Sequence, residues 1–231
     1  MTTFCLLHGA WHDGSCWERL NRELRTRGHR TIAPDLPYDD AAAGFDKRAR
    51  PALQALEGID DRVVVVGHSM ASPYAALVAA LTPGSLLVHL CPRLGSFRPP
   101  PNAPRMFRPG FPFPTSLPDG TSVWEPERAI AAMYSRLPAE IALELARRLR
   151  PLAPADGEYP LPGHPEVETV LIYALDDEIF EPAWERFMAR ELLGVDAIAI
   201  AGGHFPMVED PAALADLLDR LARKREGGAA G

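Results

Sequence analysis

Residues 63–71 read VVVVGHSMA: four β-branched residues, then a tight turn, then the start of an Ala-rich segment with helical patterning. A buried strand that enters a helix through such a turn is typical of a nucleophile elbow, which strains the backbone at its central serine. That serine is Ser69, and its hydroxyl is expected above the carboxyl edge of the sheet. Gly67 and Ala71 are small enough for the helix to pack closely on the strand, although Ala71 stands where the usual GxSxG pattern has its second glycine.

On either side of this stretch, short apolar runs alternate with segments of helical patterning. Such alternation indicates βαβ units, whose crossovers produce a parallel sheet covered by helices on both faces. The predicted strands are Thr3–Leu7, Thr31–Ala33, Val63–Gly67, Leu86–Leu90, Val170–Ala174 and Ala197–Ala201. The predicted helices are Cys16–Arg27, Ala49–Leu56, Ser69–Leu81, Pro182–Leu192 and Pro211–Arg225. A chain of 231 residues with this pattern is expected to form one α/β domain.

A carboxylate and a histidine follow the last two predicted strands. One of these strands leads into Asp176 and Asp177, and the other leads into a GGH sequence that ends at His204. The carboxyl ends of parallel strands meet at one edge of a sheet, so both groups are expected beside Ser69. His204 would take the serine proton, and a carboxylate would hold the imidazole in one tautomer. Adjacent residues leaving a strand point in opposite directions, so only one aspartate can face His204.

The loop after the first predicted strand carries the sequence HGAW at residues 8–11. A glycine in this turn lets the backbone bend so that one N–H points at the serine. We expect the N–H groups of Ala10 and Met70 to form an oxyanion hole, which would stabilise the charge of a tetrahedral intermediate. Trp11 is expected to line a mainly apolar substrate pocket, and the side chain of His8 is expected to be structural. The sequence suggests no partner for three other histidines: His12, His68 and His164.

The segment from residue 93 to residue 165 interrupts the alternation, and no strand is predicted in it. Its landmarks are the sequence RPPP at residues 98–101, the aromatic residues Phe107, Phe111 and Phe113, and two predicted helices, Pro126–Arg136 and Pro138–Arg150. A segment of this length inside a compact domain is usually a lid or an insertion with its own structure. Because the second helix is amphipathic, we expect a mostly helical lid over Ser69 rather than a mobile linker. Residues 1–92 and 166–231 would then form the core.

The composition narrows the class of function. Apolar residues make up 47% of the chain and charged residues 24%, and the formal net charge of −7 argues against nucleic acid or an anionic membrane as partner. No secretory signal pattern or membrane-spanning run is evident. Three widely spaced cysteines form no CxxC pair and no metal-binding pattern, which predicts reduced thiols in a cytoplasmic protein without metal or cofactor. The expected partner is a small-molecule substrate, and a homodimer is left open.

These motifs together resemble the α/β-hydrolase superfamily over essentially the full length of the chain. Within it, four sequences resemble the small esterases related to plant methylesterases and hydroxynitrile lyases: HGAW at 8–11, APDLP at 33–37, GHSMA at 67–71 and GHFPM at 203–207. The resemblance implies an α/β-hydrolase fold with about six parallel strands flanked by helices. It also implies that the lid, residues 93–165, is inserted after the fourth strand.

The resemblance also implies roles for individual residues. The catalytic triad carries over to Ser69, Asp177 and His204, in the chain order usual for this fold, and the oxyanion hole carries over to Ala10 and Met70. Asp177 is preferred over Asp176 because the acid in this superfamily usually comes three residues after the small residue that closes the strand, here Ala174. The implied activity is that of a carboxylesterase-like serine hydrolase, which cleaves an ester of a small, largely apolar substrate through an acyl-enzyme intermediate.

Other classes of function remain open on the same residues, because a fold does not by itself decide the chemistry. A cofactor-free lyase or cyclase, or a thioesterase, could use the same triad in a biosynthetic pathway. Hydroxynitrile lyases typically carry threonine at the position of Gly9 and a lysine directly after the catalytic histidine, where this chain has Phe205. A non-catalytic ligand-binding module is a further class, and it is disfavoured because a pure binder need not keep a base beside a serine.

Overall fold

The computed structural model describes residues 1–94, 101–155 and 157–224 of the chain. The strands in these residues are β1 (Thr2–Leu7), β2 (Arg30–Ile32), β3 (Arg62–His68), β4 (Leu86–Leu90), β5 (Thr115–Ser116), β6 (Ser122–Val123), β7 (Glu168–Ala174) and β8 (Ile198–Ile200). The α-helices are α1 (Glu18–Thr26), α2 (Phe45–Leu56), α3 (Ser72–Ala80), α4 (Pro126–Met133), α5 (Ala139–Arg147), α6 (Pro182–Met188), α7 (Pro206–Glu209) and α8 (Pro211–Arg223).

Six of the strands form one parallel sheet in the order β2-β1-β3-β4-β7-β8. The register places Leu7 of β1 opposite Gly67 of β3, and His68 of β3 opposite Leu90 of β4. The carboxyl ends of the central strands are therefore level, and the loops that follow them share one edge of the sheet. This architecture confirms the predicted fold class, an α/β fold with six parallel strands flanked by helices.

The four consecutive valines of β3 are explained by burial of this strand on both faces of the sheet. Val64 and Val66 belong to the apolar core that lies under α1 and α8, whereas Val63 and Val65 belong to the core that lies under α2 and α3. Successive side chains of a strand point to opposite faces, so a sheet covered on both sides requires apolar residues at every position. The same burial on both faces places β3, and the turn after it, at the centre of the domain.

Most predicted elements are present with shifted ends, and two strands and one α-helix of the described residues were not predicted. The segment predicted as one helix over Ser69–Leu81 begins as a 3₁₀ turn at Ser69–Ala71, so that α3 starts only at Ser72. The unpredicted elements are the antiparallel β5–β6 hairpin and the single-turn helix α7. Strands of two residues and a helix of four are too short to show a hydrophobic period, so the sequence gives little indication of them.

Residues 93–165 are called the cap segment below, and the prediction that they contain no strand is wrong because the β5–β6 hairpin lies within them. Helices α4 and α5 lie at the centre of the segment, and buried side chains of both belong to the same apolar core as α1 and α8. Most of the RPPP sequence lies outside the described residues. The division of the chain into a core and a cap segment stays a prediction.

None of the helices in the described parts of the chain is both long and apolar enough to cross a membrane.

Candidate active site

Ser69 lies directly after β3, at the point where the chain turns from strand to helix. Its φ of +53° falls in the left-handed region, which is strained for a residue with a side chain and is expected at a nucleophile elbow. The Ser69 carbonyl accepts hydrogen bonds from the Ser72 hydroxyl at 2.8 Å and from the Arg93 N–H at 3.0 Å. A Cβ at Gly67 would lie 2.5 Å from the Cβ of Ala75, so the packing of α3 on β3 requires glycine there.

Asp177, and not Asp176, pairs with His204. The Oδ2 atom of Asp177 lies 2.7 Å from Nδ1 of His204, and its Oδ1 accepts hydrogen bonds from the N–H groups of Ile179 and Phe180 at 2.7 and 2.8 Å. A carboxylate oxygen accepts, so Nδ1 of His204 donates; in the neutral imidazole, Nε2 is then the acceptor nitrogen. The side chain of Asp176 is 57% exposed and forms an ion pair with Arg136.

The structure brings His204 and Ser69 to one small cavity, which Gly9 and Ala10 also line. The backbone of His204 is held on both sides: its N–H donates to Oε2 of Glu178 at 2.9 Å, and its carbonyl accepts from Nε2 of His68 at 2.8 Å. His68 directly precedes Ser69 in the sequence. The residue before the serine and the loop that carries the histidine are therefore joined by a direct hydrogen bond.

Ala10 and Met70, the residues predicted to form an oxyanion hole, both lie close to Ser69. Both line a larger cavity together with Ser69. Met70 lies in the first turn after the elbow, where backbone N–H groups have no carbonyl partner within their helix. The position before Ala10 leaves no room for a side chain: a Cβ at Gly9 would lie 2.9 Å from Nδ1 of His68 and 3.2 Å from the Cβ of Ser69. The backbone of this loop can therefore approach the serine closely.

The larger cavity has a volume of about 310 Å³ and opens beside Ser69. Its apolar wall includes Trp11, Phe107, Phe111, Phe113, Ile179 and Phe180. Trp11 is fixed in place because its Nε1–H donates to the Ser122 hydroxyl in the cap segment at 3.0 Å. Arg93 is the one charged residue among the described residues that line the cavity. The site therefore suits a substrate that is largely apolar.

The three histidines for which the sequence suggested no partner all have one. His68 binds the carbonyl of His204, as described above, and Nε2 of His164 lies 3.2 Å from Nε2 of His89. Nε2 of His12 lies 2.6 Å from the hydroxyl of Tyr134. His8 is structural as expected: its Nε2 accepts from the N–H of Leu36 at 2.8 Å, and its Nδ1 faces the carbonyl of Gly9.

Cys91 lies next to the paired acid and base, and this position was not predicted. Its Sγ, a carboxylate oxygen of Asp177 and a ring nitrogen of His204 all lie within 4.8 Å of one another. Complete burial raises the pKa of the Cys91 thiol well above its ordinary value, and a protonated thiol is a poor metal ligand. Because Asp177 and His204 are already hydrogen-bonded to each other, we interpret the three as an acid–base pair with a neighbouring thiol.

Comparisons with known proteins identify the family and the fold of this chain. The model of a family described as "Alpha/beta hydrolase family" matches residues 6–217. Methylesterase 9 of Arabidopsis thaliana is 27% identical, over 97% of this chain and 99% of its own length. A pyrethroid hydrolase of Sphingobium wenxiniae is 26% identical, over 98% of this chain and 91% of its own length. A crystal structure of the pyrethroid hydrolase PytH has the same fold, with a TM-score of 0.79, 20% identity and coverage of 98% of this chain and 99% of that one.

Proposed function

We propose that this chain, which belongs to the α/β hydrolase family, is a carboxylesterase-like serine hydrolase whose nucleophile is Ser69. Relatives that match nearly its whole length are named esterases, methylesterases and a pyrethroid hydrolase. The observation that carries the proposal is the 2.7 Å hydrogen bond between Asp177 and His204. His204 lines the same small cavity as Ser69, whose backbone is strained. This arrangement leaves Nε2 of His204 as an acceptor for the proton of the serine hydroxyl.

The first half of the proposed reaction forms an acyl-enzyme. The Oγ atom of Ser69 attacks the carbonyl carbon of the ester while Nε2 of His204 takes the hydroxyl proton. The carbonyl oxygen becomes negative and accepts hydrogen bonds from the N–H groups of Ala10 and Met70. Asp177 stabilises the imidazolium that forms. The tetrahedral intermediate then collapses, the C–O bond to the alcohol breaks, and His204 gives its proton to the leaving alkoxide.

The second half regenerates the enzyme. Nε2 of His204 takes a proton from a water molecule, whose oxygen attacks the carbonyl carbon of the acyl-enzyme. The same two N–H groups stabilise the second tetrahedral intermediate. Its collapse breaks the bond to Oγ of Ser69, and His204 returns the proton to that oxygen. The products are one carboxylic acid and one alcohol, and the reaction needs no cofactor.

The proposed substrate is a small, largely apolar ester. The cavity of about 310 Å³ beside Ser69 matches the lower end of ordinary small-molecule sites. Trp11 and three phenylalanines of the cap segment supply much of its wall: Phe107, Phe111 and Phe113. We therefore propose that the cap segment acts as the lid of the site and determines which esters fit.

The lyase alternative is not favoured by the residues around the site. Hydroxynitrile lyases carry threonine at the position of Gly9, but here the space next to Gly9 is already occupied by the His68 ring. The residue after His204 is Phe205, which is buried and apolar, so no cation is present there to stabilise cyanide. A thioesterase or cyclase is not favoured by any observation in the described residues.

We also propose that the protein acts in the cytoplasm. Its three cysteines, Cys5, Cys16 and Cys91, are all buried and free of disulfides. Unpaired buried thiols are ordinary for proteins of a reducing compartment. The negative net charge gives no support to a nucleic-acid or anionic-membrane partner, so the proposed partner is the ester alone.

The proposal is tested by labelling and by turnover. A fluorophosphonate should modify Ser69, as identified by mass spectrometry of the peptides, and the purified protein should hydrolyse p-nitrophenyl esters. A panel of acyl chains of increasing length would then define the size of the acyl site. Failure of the folded protein both to react with the fluorophosphonate and to hydrolyse any ester would reject a serine hydrolase.

A further inference from the structure

We propose that Arg136, Glu178 and Glu209 position His204 by holding the backbone of the loop on which it lies. These three residues are called the histidine-loop clamp below. The inference rests on the proposed function, because it gives His204 the role of general base. It adds three positioning residues, one of them in the cap segment, to the residues that carry the chemistry.

Two consecutive backbone amides of the histidine loop each have a carboxylate partner. The N–H of Gly203 donates to Oε2 of Glu209 at 2.7 Å, and the N–H of His204 donates to Oε2 of Glu178 at 2.9 Å. Hydrogen bonds to carboxylates are shorter and stronger than those between neutral groups. Together with the bond from His68 to the His204 carbonyl, they fix the peptide groups on both sides of the His204 Cα.

The two glycines before His204 provide the space that these carboxylates occupy. A Cβ at Gly203 would lie 2.5 Å from Oε2 of Glu178 and 2.8 Å from Cδ of Arg136. A Cβ at Gly202 would collide with Oε2 of Glu209, and the φ of Gly202 is +99°. The GGH sequence is therefore explained by the approach of the clamp side chains to the loop, in addition to the conformation of the turn.

Arg136 connects the loop of the acid to the loop of the base. Its Nε lies 2.9 Å from Oε1 of Glu209, and its Nη2 lies 3.4 Å from Oδ2 of Asp176, the residue before the triad acid. The N–H of Asp176 in turn donates to the carbonyl of Gly202 at 3.0 Å. The Arg136 guanidinium thus neutralises the carboxylates of Asp176 and Glu209, which would otherwise repel each other. It thereby fixes the distance between the loop of Asp177 and the loop of His204.

Arg136 belongs to the cap segment, between α4 and α5. Its neighbour Ser135 also faces the clamp, with its hydroxyl 3.5 Å from Oε1 of Glu178. The segment that forms much of the pocket wall therefore also contacts the loop of the general base. A displacement of the cap segment would move Arg136, and with it the backbone to which His204 is attached.

The first test compares two arginines of the cap segment. Arg136 and Arg148 each lie within 4 Å of two carboxylates, but those of Arg148 are Asp13 and Glu144, away from the histidine loop. Because small displacements of a catalytic group are costly, we expect Arg136→Ala to lower kcat by about 10- to 100-fold with KM nearly unchanged. Arg148→Ala should leave kcat unchanged. Equal effects of the two substitutions, or a loss confined to KM, would overturn the clamp.

The second test uses conservative replacement. Glu209→Gln keeps one carbonyl oxygen for the N–H of Gly203, so it should retain much more of kcat than Glu209→Ala. Equal kcat values for the two folded variants would contradict a positioning role. If Glu209→Ala does not fold, the arginine comparison decides, since the Arg136 side chain is 41% exposed and its removal leaves no buried cavity.

A spectroscopic measurement separates this inference from the proposed function. The proton on Nδ1 of His204 is hydrogen-bonded to Oδ2 of Asp177 and should give a downfield proton NMR resonance. We expect this resonance to be sharp in the wild type and in Arg148→Ala, and to broaden or disappear in Arg136→Ala. An unchanged resonance in Arg136→Ala would overturn the clamp even if the wild type is an active esterase. If the folded wild type showed neither ester turnover nor fluorophosphonate labelling, the proposed function would be rejected instead.

Discussion

Nε2 of His12 lies 2.6 Å from the hydroxyl of Tyr134, and Nδ1 of the same ring lies 2.6 Å from the carbonyl of Ala10. A carbonyl can only accept, so Nδ1 carries the proton and Nε2 accepts from the tyrosine O–H. The ring therefore ties the loop proposed for the oxyanion hole to Tyr134, the residue after α4 in the cap segment. Burial lowers the pKa of His12 to about 4, so this bridge is made by the neutral imidazole.

Stability should fall as the pH decreases from about 6.5 to about 4. A histidine in the unfolded chain binds a proton near pH 6.5, whereas burial lowers the pKa of folded His8 and His12 to about 4. The unfolded chain binds more protons in this window, so the free energy of unfolding decreases with falling pH. Urea unfolding at several pH values between 7 and 4 measures the slope of the free energy of unfolding against pH. In His12→Gln the slope should be smaller by up to one proton, and an unchanged slope would contradict the assignment.

Ser69→Ala should abolish ester turnover and fluorophosphonate labelling while the fold is kept. The hydroxyl is the proposed nucleophile, and its removal takes away little packing. Ser116→Ala is the matched control, because that serine lies exposed in the β5–β6 hairpin. Circular dichroism and the thermal midpoint check that both variants are folded. A Ser69→Ala protein with near-wild-type turnover would show that another group is the nucleophile.

Asp177→Asn should cost on the order of 10⁴-fold in kcat, because an amide at this position favours the wrong tautomer of His204. Asp176→Asn should change kcat by less than about tenfold, since it removes only one exposed ion pair of Arg136. Both substitutions remove one negative charge from adjacent positions, so they control for each other. Steady-state kinetics on one ester compares them. The opposite ranking would identify Asp176 as the acid.

Gly9→Ala should lower kcat by at least about tenfold. The new Cβ would lie within 3.2 Å of both Nδ1 of His68 and Cβ of Ser69, so the loop that carries the Ala10 N–H must shift away from the serine. Gly163→Ala is the control, because a Cβ there meets no atom within 4 Å. Turnover of both variants at saturating ester is the measurement. Equal rates for the two variants would mean that the loop tolerates a side chain at position 9 and that glycine is not needed there for steric reasons.

Glu185→Gln should stabilise the fold increasingly as the pH rises. Glu185 is completely buried, and neither of its carboxylate oxygens has a hydrogen-bond partner among the described residues. Burial, and then the negative charge of Asp177, raise its pKa well above the ordinary value. A raised pKa in the folded state means that the stability present at low pH is lost as the pH rises toward that pKa.

The measurement for Glu185 is chemical unfolding of the wild type and the variant at pH 5 and pH 8. The advantage of Glu185→Gln over the wild type should be larger at pH 8, because glutamine cannot ionise. Glu191→Gln, at an exposed position after α6, should show no such change with pH. An advantage that does not grow between the two pH values would mean that Glu185 finds a partner for its charge.

The sequence by itself indicated a parallel sheet of six strands and the residues that follow these strands. Four consecutive valines favour a strand that is buried on both faces, and a parallel sheet covered by helices buries its strands in this way. Because parallel strands share one carboxyl edge, residues that follow different strands must meet there. Ser69 and His204 could therefore be placed at one site from their positions after strands. The choice of Asp177 over Asp176 also agrees with the hydrogen bond to His204, although the sequence pattern alone left both open.

Only the tertiary structure decided how the site is held together. The contacts of His68 with His204, of His12 with Tyr134 and of Arg136 with Glu209 join residues separated by 136, 122 and 73 positions. Helical and strand periods describe which face of an element is buried, but they carry no information about which polar side chains meet across loops. The contacts of Tyr134 and Arg136 depend on the packing of the cap segment against the sheet edge, and the contact of His68 with His204 depends on how the loops at that edge meet. A shift of one or two ångströms makes or breaks such a hydrogen bond.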